Sequence, residues 1–229
     1  MTVPGAPWLL AVDGIDGSGK SVLARTLVAA LDREGISAAL LRVDDYRRPV
    51  TWKAAGRAEA DVYYDDYYDL ARLDDGVQAF LAGASGVSIP VFDATRERLD
   101  GERWVPFQGS AALVVEGVFA MRARTVRERA PIVYLQTSFG EARRRILARD
   151  TARGRTAAEV GHRIDARYFP AQERYLREHE PVAHAAVLVE HERLAAPSLL
   201  RLDESRISPP VRRALQTALA AFAGPGAVQ

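Results

Sequence analysis

The chain has 229 residues, 48% of them hydrophobic and 27% charged, which is enough apolar material to bury a core of ordinary size in one compact unit. Lysine and arginine number 31 against 30 acidic residues, and a net charge of +1 is too weak a field to draw in nucleic acid or an anionic membrane surface. No apolar stretch reaches the roughly 18 residues of a membrane span, the first residues lack a basic n-region, and the absence of cysteine excludes disulfides, thiolate metal sites and thiol nucleophiles, so a cytoplasmic location is expected.

In chain order, Trp8 to Val12 is a short apolar run ending in a glycine-rich turn, and Ser18 to Leu31 then carries apolar residues at helical spacing, giving strand, loop and helix. A second strand over Ser37 to Val43 ends in Asp44 and Asp45. Arg47 to Tyr68 is polar, tyrosine-rich and aperiodic and reads as a loop, followed by a helix through Leu70, Leu73, Val77, Phe80 and Leu81. Val87–Phe92, Leu113–Val115, Ile132–Leu135 and Ala186–Val189 are further strands; Leu113–Val115 leads into Glu116 and Gly117. Phe139 to Asp150 reads as an arginine-dense helix, and Thr156 to His179 as a long helix or helix pair interrupted around Pro170. Pro209 and Pro210 open a closing amphipathic helix, and the chain is expected to fray from Gly224. Strands alternating with helices predict an α/β fold, a mostly parallel sheet with helices on both faces. Ligands of such sheets bind outside the carboxyl ends of the strands, so the residues just after each apolar run are the candidates for function.

Gly14-Ile15-Asp16-Gly17-Ser18-Gly19-Lys20-Ser21 matches the pattern G-x-x-x-x-G-K-[ST], after a strand and before a helix. Glycines let successive backbone N–H groups turn inward, the helix N-terminus adds partial positive charge, Lys20 brings a full charge to the terminal phosphates, and Ser21 supplies a magnesium ligand. Only two lysines, Lys20 and Lys53, stand among the basic residues, so the one inside the glycine loop is not surface filling. ATP and Mg2+ are the expected cofactors.

Four more segments, in order, resemble the uridine kinase and phosphoribulokinase-like family of P-loop kinases over most of the chain. Arg42-Val43-Asp44-Asp45-Tyr46-Arg47 resembles the strand end bearing that family's catalytic aspartate, and Ile89-Pro90-Val91-Phe92-Asp93 its substrate segment. Val114-Val115-Glu116-Gly117-Val118-Phe119 is similar to its strand ending in Glu-Gly, and Arg149-Asp150 with Arg153-Gly154-Arg155 to its lid; Arg143-Arg144-Arg145 adds nothing to that match. The resemblance implies a P-loop kinase domain over 1–229, with a substrate-side insertion at about 46–70 and a lid at about 149–160. It implies Asp44 as the base, with Asp45 as fallback, and Glu116 with Ser21 at magnesium.

The same resemblance implies that Arg149, Arg153 and Arg155 reach the phosphates or the acceptor, a task guanidinium forks suit. Asp65 or Asp66, with Tyr64 or Tyr67, falls where ribose hydroxyls are held, and Phe92 replaces a tyrosine beside the acceptor. Thr95-Arg96-Glu97-Arg98 stands where uridine kinases have a histidine. The four histidines show no metal-ligand spacing. The expected partner is a small-molecule acceptor, a nucleoside or another hydroxyl metabolite such as a sugar phosphate, pantothenate or nicotinamide riboside, and a homo-oligomer is compatible with the sequence. The competing class is a nucleotide-dependent regulator that transfers nothing.

Overall fold

Alternation along Leu9-Leu10-Ala11-Val12 sends Leu9 and Ala11 into one core and Leu10 and Val12 into another, so β1 (Trp8–Gly14) is covered on both faces. The computed structural model describes residues 7–53 and 56–222; the expected fraying from Gly224 lies outside them. After β1 come α1 (Lys20–Arg33), β2 (Ala38–Arg42), a 3-10 turn (Val43–Tyr46), α2 (Glu59–Asp65) and α3 (Leu70–Leu81). Next are β3 (Gly86–Asp93), β4 (Arg98–Pro106), β5 (Ala112–Glu116), α4 (Arg124–Arg129), β6 (Ile132–Gln136), α5 (Phe139–Ala152) and α6 (Ala157–Arg163). A π-helical turn (Ile164–Tyr168), α7 (Phe169–His179), α8 (Pro181–His184), β7 (Val187–Glu190), β8 (Ser198–Leu202) and α9 (Pro209–Phe222) complete the described chain.

The main sheet runs β2-β5-β1-β6-β7-β8, parallel except for β8. One face is buried by α1, through Leu23, Leu27 and Leu31, together with α9. The other is buried by α3, α4 and α7. The α/β architecture with helices on both faces is therefore the one the apolar periodicity predicts. Several helices start on side-chain caps: Asp69 accepts from Arg72 N–H, Ser138 from Glu141 N–H, and Thr156 and Glu159 form a reciprocal capping box.

Three local readings change, and a fourth is made specific. The expected loop at 47–68 contains α2, whose Val62, Tyr63 and Tyr64 are buried; tertiary packing rather than periodicity makes this helix. The strand at Val87–Phe92 belongs to a separate antiparallel pair with β4. Neither β4 nor β8 reads as an apolar run, because β4 is buried only at Val105 and β8 is an exposed edge. The break near Pro170 is the π-helical turn just before it, where the proline has no N–H to continue the ordinary ladder.

Two backbone constraints hold the carboxyl edge together. Gly117 has φ +149°, and a Cβ there would lie 2.4 Å from Val43 Cβ, so the ends of β5 and β2 approach as closely as they do only because that atom is missing. Phe119, at φ 68° and with no exposed surface, packs edge-on against Tyr63, Tyr64, Tyr68 and Tyr175. We expect Gly117→Ala to lower the unfolding free energy in urea by about 2 kcal/mol or more, through overpacking against Val43; a loss under about 0.5 kcal/mol would show that the close approach is not needed.

Candidate active site

Register fixes what meets at the carboxyl edge: Glu116 is level with Val12 of β1 and Arg42 of β2, so the loop after β1, the end of β5 and the turn after β2 open into one crevice. The glycine loop runs into α1 through Gly19, which has a left-handed conformation and offers no side-chain cap, leaving the first N–H groups of α1 without a side-chain acceptor. At Gly17, with φ +79°, a Cβ would lie 2.8 Å from the Ala142 carbonyl, so α5 seats directly on the loop. Ser18 Oγ is buried without a hydrogen-bond partner. This is a cradle of backbone donors shaped for an anion.

Lys20 is buried at its centre. Nζ reaches Asp16 Oδ1 at 3.3 Å and the Ile15 carbonyl at 3.4 Å. Burial by itself would discharge the amine, but the carboxylates of Asp16, Glu116, Asp44 and Asp13 outweigh it and hold the pKa above that of ordinary lysine. Ser21 Oγ donates to Glu116 Oε2 at 3.1 Å, and burial pushes the Glu116 carboxyl up, against the pull of Lys20. Four carboxylates around one ammonium leave excess negative charge, which suits a divalent cation. Among the described residues no group of three or more His, Cys, Asp and Glu side chains could cage a metal. Magnesium fits that donor set, because it binds through one or two protein oxygens and takes its remaining ligands from phosphates and water; Ser21 and Glu116 are the residues that would hold it.

The two aspartates after β2 divide cleanly. Asp45 pairs with Arg42 at 2.6 Å and Arg103 at 3.2 Å. Asp44 is exposed to the crevice and accepts from Tyr68 OH at 3.0 Å. The hydroxyls of Tyr63 and Tyr68 lie 3.3 Å apart, and Tyr63 also donates to Asp16 Oδ2 at 3.0 Å. Burial first, then nearby carboxylates, hold both phenols well above their usual pKa, so they remain donors. Gln172, fully buried on α7, completes the ring by donating to Asp16 Oδ2 at 2.7 Å and accepting from Asp16 N–H at 3.2 Å.

Sequence reasoning missed Gln172, Tyr63, Tyr68 and Asp13; only the tyrosine-rich composition of 63–68 could have flagged two of them. It also set Arg145 aside. This side chain, 9% exposed, donates to the carbonyls of Gly17, His191 and Glu192 and pairs with Glu141, bracing the loop from behind.

The remaining candidates are placed as follows. Arg149 and Arg155 both pair with buried Asp150, at 2.7 and 3.0 Å, while Arg153 is exposed at the end of α5. Tyr67 and Phe92 line a small cleft together with Arg47, which bonds the Asp44 carbonyl. Asp65 and Asp66 are not brought to the crevice: they pair with Arg57, and Asp65 also with Arg174, with side chains 38% and 45% exposed. Tyr64 likewise turns away, donating to Glu178 at 2.8 Å.

A glycine-rich loop between a central parallel strand and its helix, with carboxylates on the neighbouring strand ends, is the arrangement of the P-loop kinase fold. The chain belongs to the Phosphoribulokinase / Uridine kinase family, whose model matches residues 9–195. A uridine kinase from Deinococcus deserti is 28% identical over 158 residues, spanning 67% of this chain and 74% of the relative. One from Staphylococcus haemolyticus is 28% identical over 157 residues, spanning 66% and 73%. The structure of a possible uridine kinase from Bacillus stearothermophilus superposes with TM-score 0.62 at 23% identity, covering 82% of this chain and 90% of that one, and is similar in fold.

Asp13 gives a pH test. It has no exposed surface, Tyr175 OH donates to its Oδ2, and Gly14 N–H donates to its Oδ1 at 2.6 Å. Burial, opposed by these bonds, pushes its carboxyl up to about 6 from 3.8. A carboxyl whose folded pKa is raised binds its proton more tightly in the native state; its contribution is most favourable below the unfolded pKa, declines as pH rises between 3.8 and about 6, and is a constant penalty above, roughly 3 kcal/mol at most. Asp13→Asn is therefore expected to stabilise the fold by about 1–3 kcal/mol at pH 8 and by nearly nothing at pH 4. Thermal melts across that range check it, and an equal effect at both pH values would contradict the assignment.

Proposed function

We propose that this chain transfers the terminal phosphoryl group of ATP to a hydroxyl of a small acceptor, a nucleoside or nucleoside-like molecule. One observation carries the reading: a buried lysine in a phosphate cradle, a Ser–Glu pair suited to magnesium, and a free aspartate oriented by a tyrosine all open into one crevice. Phosphoryl transfer is chiefly positioning and charge neutralisation, and these groups supply both. The loop amides and Lys20 hold the donor phosphates, with Lys20 exchanging its bond to Asp16 for phosphate oxygens. Magnesium, held by Ser21 and Glu116, would neutralise charge developing on the phosphates. Asp44, held by Tyr68 OH, takes the proton of the attacking hydroxyl. Arg149 and Arg155, tethered by Asp150, close over the transferring group from α5 and the segment after it. A site that only senses nucleotide occupancy has no use for Asp44 and Tyr68, and the two relatives named uridine kinase favour a nucleoside-like acceptor.

The test contrasts the neighbouring aspartates. Across a panel of nucleosides and other hydroxyl metabolites assayed for ADP release, Asp44→Asn is expected to lower acceptor-dependent turnover by about 10²–10⁴-fold with Mg-ATP binding retained. Asp45→Asn, which loses only ion pairs with Arg42 and Arg103, stays within about threefold of the parent. Equal losses in the two variants would remove Asp44 from the role of base, and no acceptor-stimulated ADP release in the parent would defeat the kinase reading.

A further inference from the structure

Joined to the Asp44 turn through Arg47, a cleft of about 70 Å³ is lined by Trp52, Tyr67 and Phe92 and by Arg47, Arg48, Arg155, Arg163 and Arg167. No residue of the phosphate loop lines it, so it is not an extension of the donor cradle.

Three of these arginines are already neutralised. Arg48 pairs with Asp69 at 2.7 Å, Arg155 with Asp150 at 3.0 Å, and Arg167 with Glu59 while lying 3.8 Å over the Trp52 ring. Arg47 and Arg163 have no carboxylate within 4 Å among the described residues. Arg47 donates through Nε to the Asp44 carbonyl at 2.9 Å and lies 5.6 Å over the Phe92 ring. The single carboxylate lining the cleft, Glu97, is exposed and forms no ion pair among the described residues. Two half-buried arginines without an ion-pair partner among the described residues, both lining a space with aromatic walls, suit an anion. Guanidinium forks bind carboxylate and phosphate oxygens bidentately, and the aromatic faces suit a flat ring next to that charge.

We propose that this cleft is the subsite for an anionic group, a carboxylate or a phosphate, that the acceptor carries at a distance from the hydroxyl facing Asp44. The assignment rests on the acceptor side described under the proposed function and narrows it: the preferred acceptor is charged, and a neutral nucleoside is a poor one. Arg163 is the specificity-determining residue, because it reaches the cleft without a competing carboxylate. Arg47 links the anion to the base through the Asp44 carbonyl.

Matched pairs in which one member carries an added carboxylate or phosphate give the test. ADP release is measured with nicotinate riboside against nicotinamide riboside for the carboxylate arm, and with ribulose 5-phosphate against ribulose for the phosphate arm. In at least one pair the anionic member is expected to have a kcat/KM at least tenfold higher, and Arg163→Gln to shrink that preference at least fivefold; Arg47→Gln serves if Arg163→Gln does not fold. Which pair responds identifies the anion. Calorimetric titration of Mg-ATP into the same variant separates loss of acceptor recognition from damage to the donor cradle.

Equal or better use of the member without the carboxylate or phosphate in both pairs, or a preference untouched by either variant, would overturn the proposal. If no compound is phosphorylated, calorimetry with the same four compounds decides. Binding of an anionic member that Arg163→Gln weakens at least tenfold keeps the subsite while the kinase reading falls, and no heat from either anion overturns the subsite itself.

Discussion

A buried ammonium, Lys20, sets the terms for the rest of this molecule. Burial pulls its pKa down, and the charges of Asp16, 3.3 Å away, and of Glu116, Asp44 and Asp13 more than offset that pull. Those carboxylates in turn would repel one another and resist burial without the lysine. The cluster is thus a mutual constraint rather than a set of independent contacts, and it requires three strand ends and the start of one helix to arrive at the same edge of the sheet. On the proposed function, a cation and an anion together would complete the edge, which is the form in which magnesium and a polyphosphate arrive.

The surrounding structure can be understood as what holds that edge in place. Gly117 lets β5 and β2 close on each other, so Glu116 and the turn bearing Asp44 share one crevice. Phe119, held in a left-handed conformation inside a cluster of tyrosines, ties α2 and α7 to the end of β5. Tyr63, Tyr68 and Gln172 hang from those helices and fix the orientation of Asp16 and Asp44. From the opposite side Arg145 bonds the Gly17 carbonyl and two carbonyls after β7, so the cradle is braced against the strand beyond β6 as well.

How much of this was legible beforehand follows from range along the chain. The glycine loop, Lys20 and Ser21 lie within eight residues, so a local pattern reveals them completely. Strand ends made Asp44 and Glu116 visible as candidates. The family resemblance put Asp44 ahead of Asp45, and what it could not show is the pairing of Asp45 with Arg103, 58 residues away in β4, a strand whose exposed surface leaves no apolar signature. Gln172 and Asp16 are 156 residues apart and Tyr175 and Asp13 are 162 apart, and no spacing rule connects them. Asp65 and Asp66 stood in the right stretch of sequence, but once α2 formed, its buried face took the tyrosines and its exposed face took the acids. The carboxyl-edge rule located the site, and helix rotation decided which side chains entered it.

The account stands on Lys20 and the loop forming a cradle for a nucleotide polyphosphate, and calorimetric titration of Mg-ATP into the full chain and into Lys20→Ala is the most direct measure of it. Saturable binding to the parent, weakened at least tenfold in a folded Lys20→Ala protein, a difference of about 1.4 kcal/mol or more, is the expected result. No heat in the parent, or equal affinity in the two proteins, would contradict it.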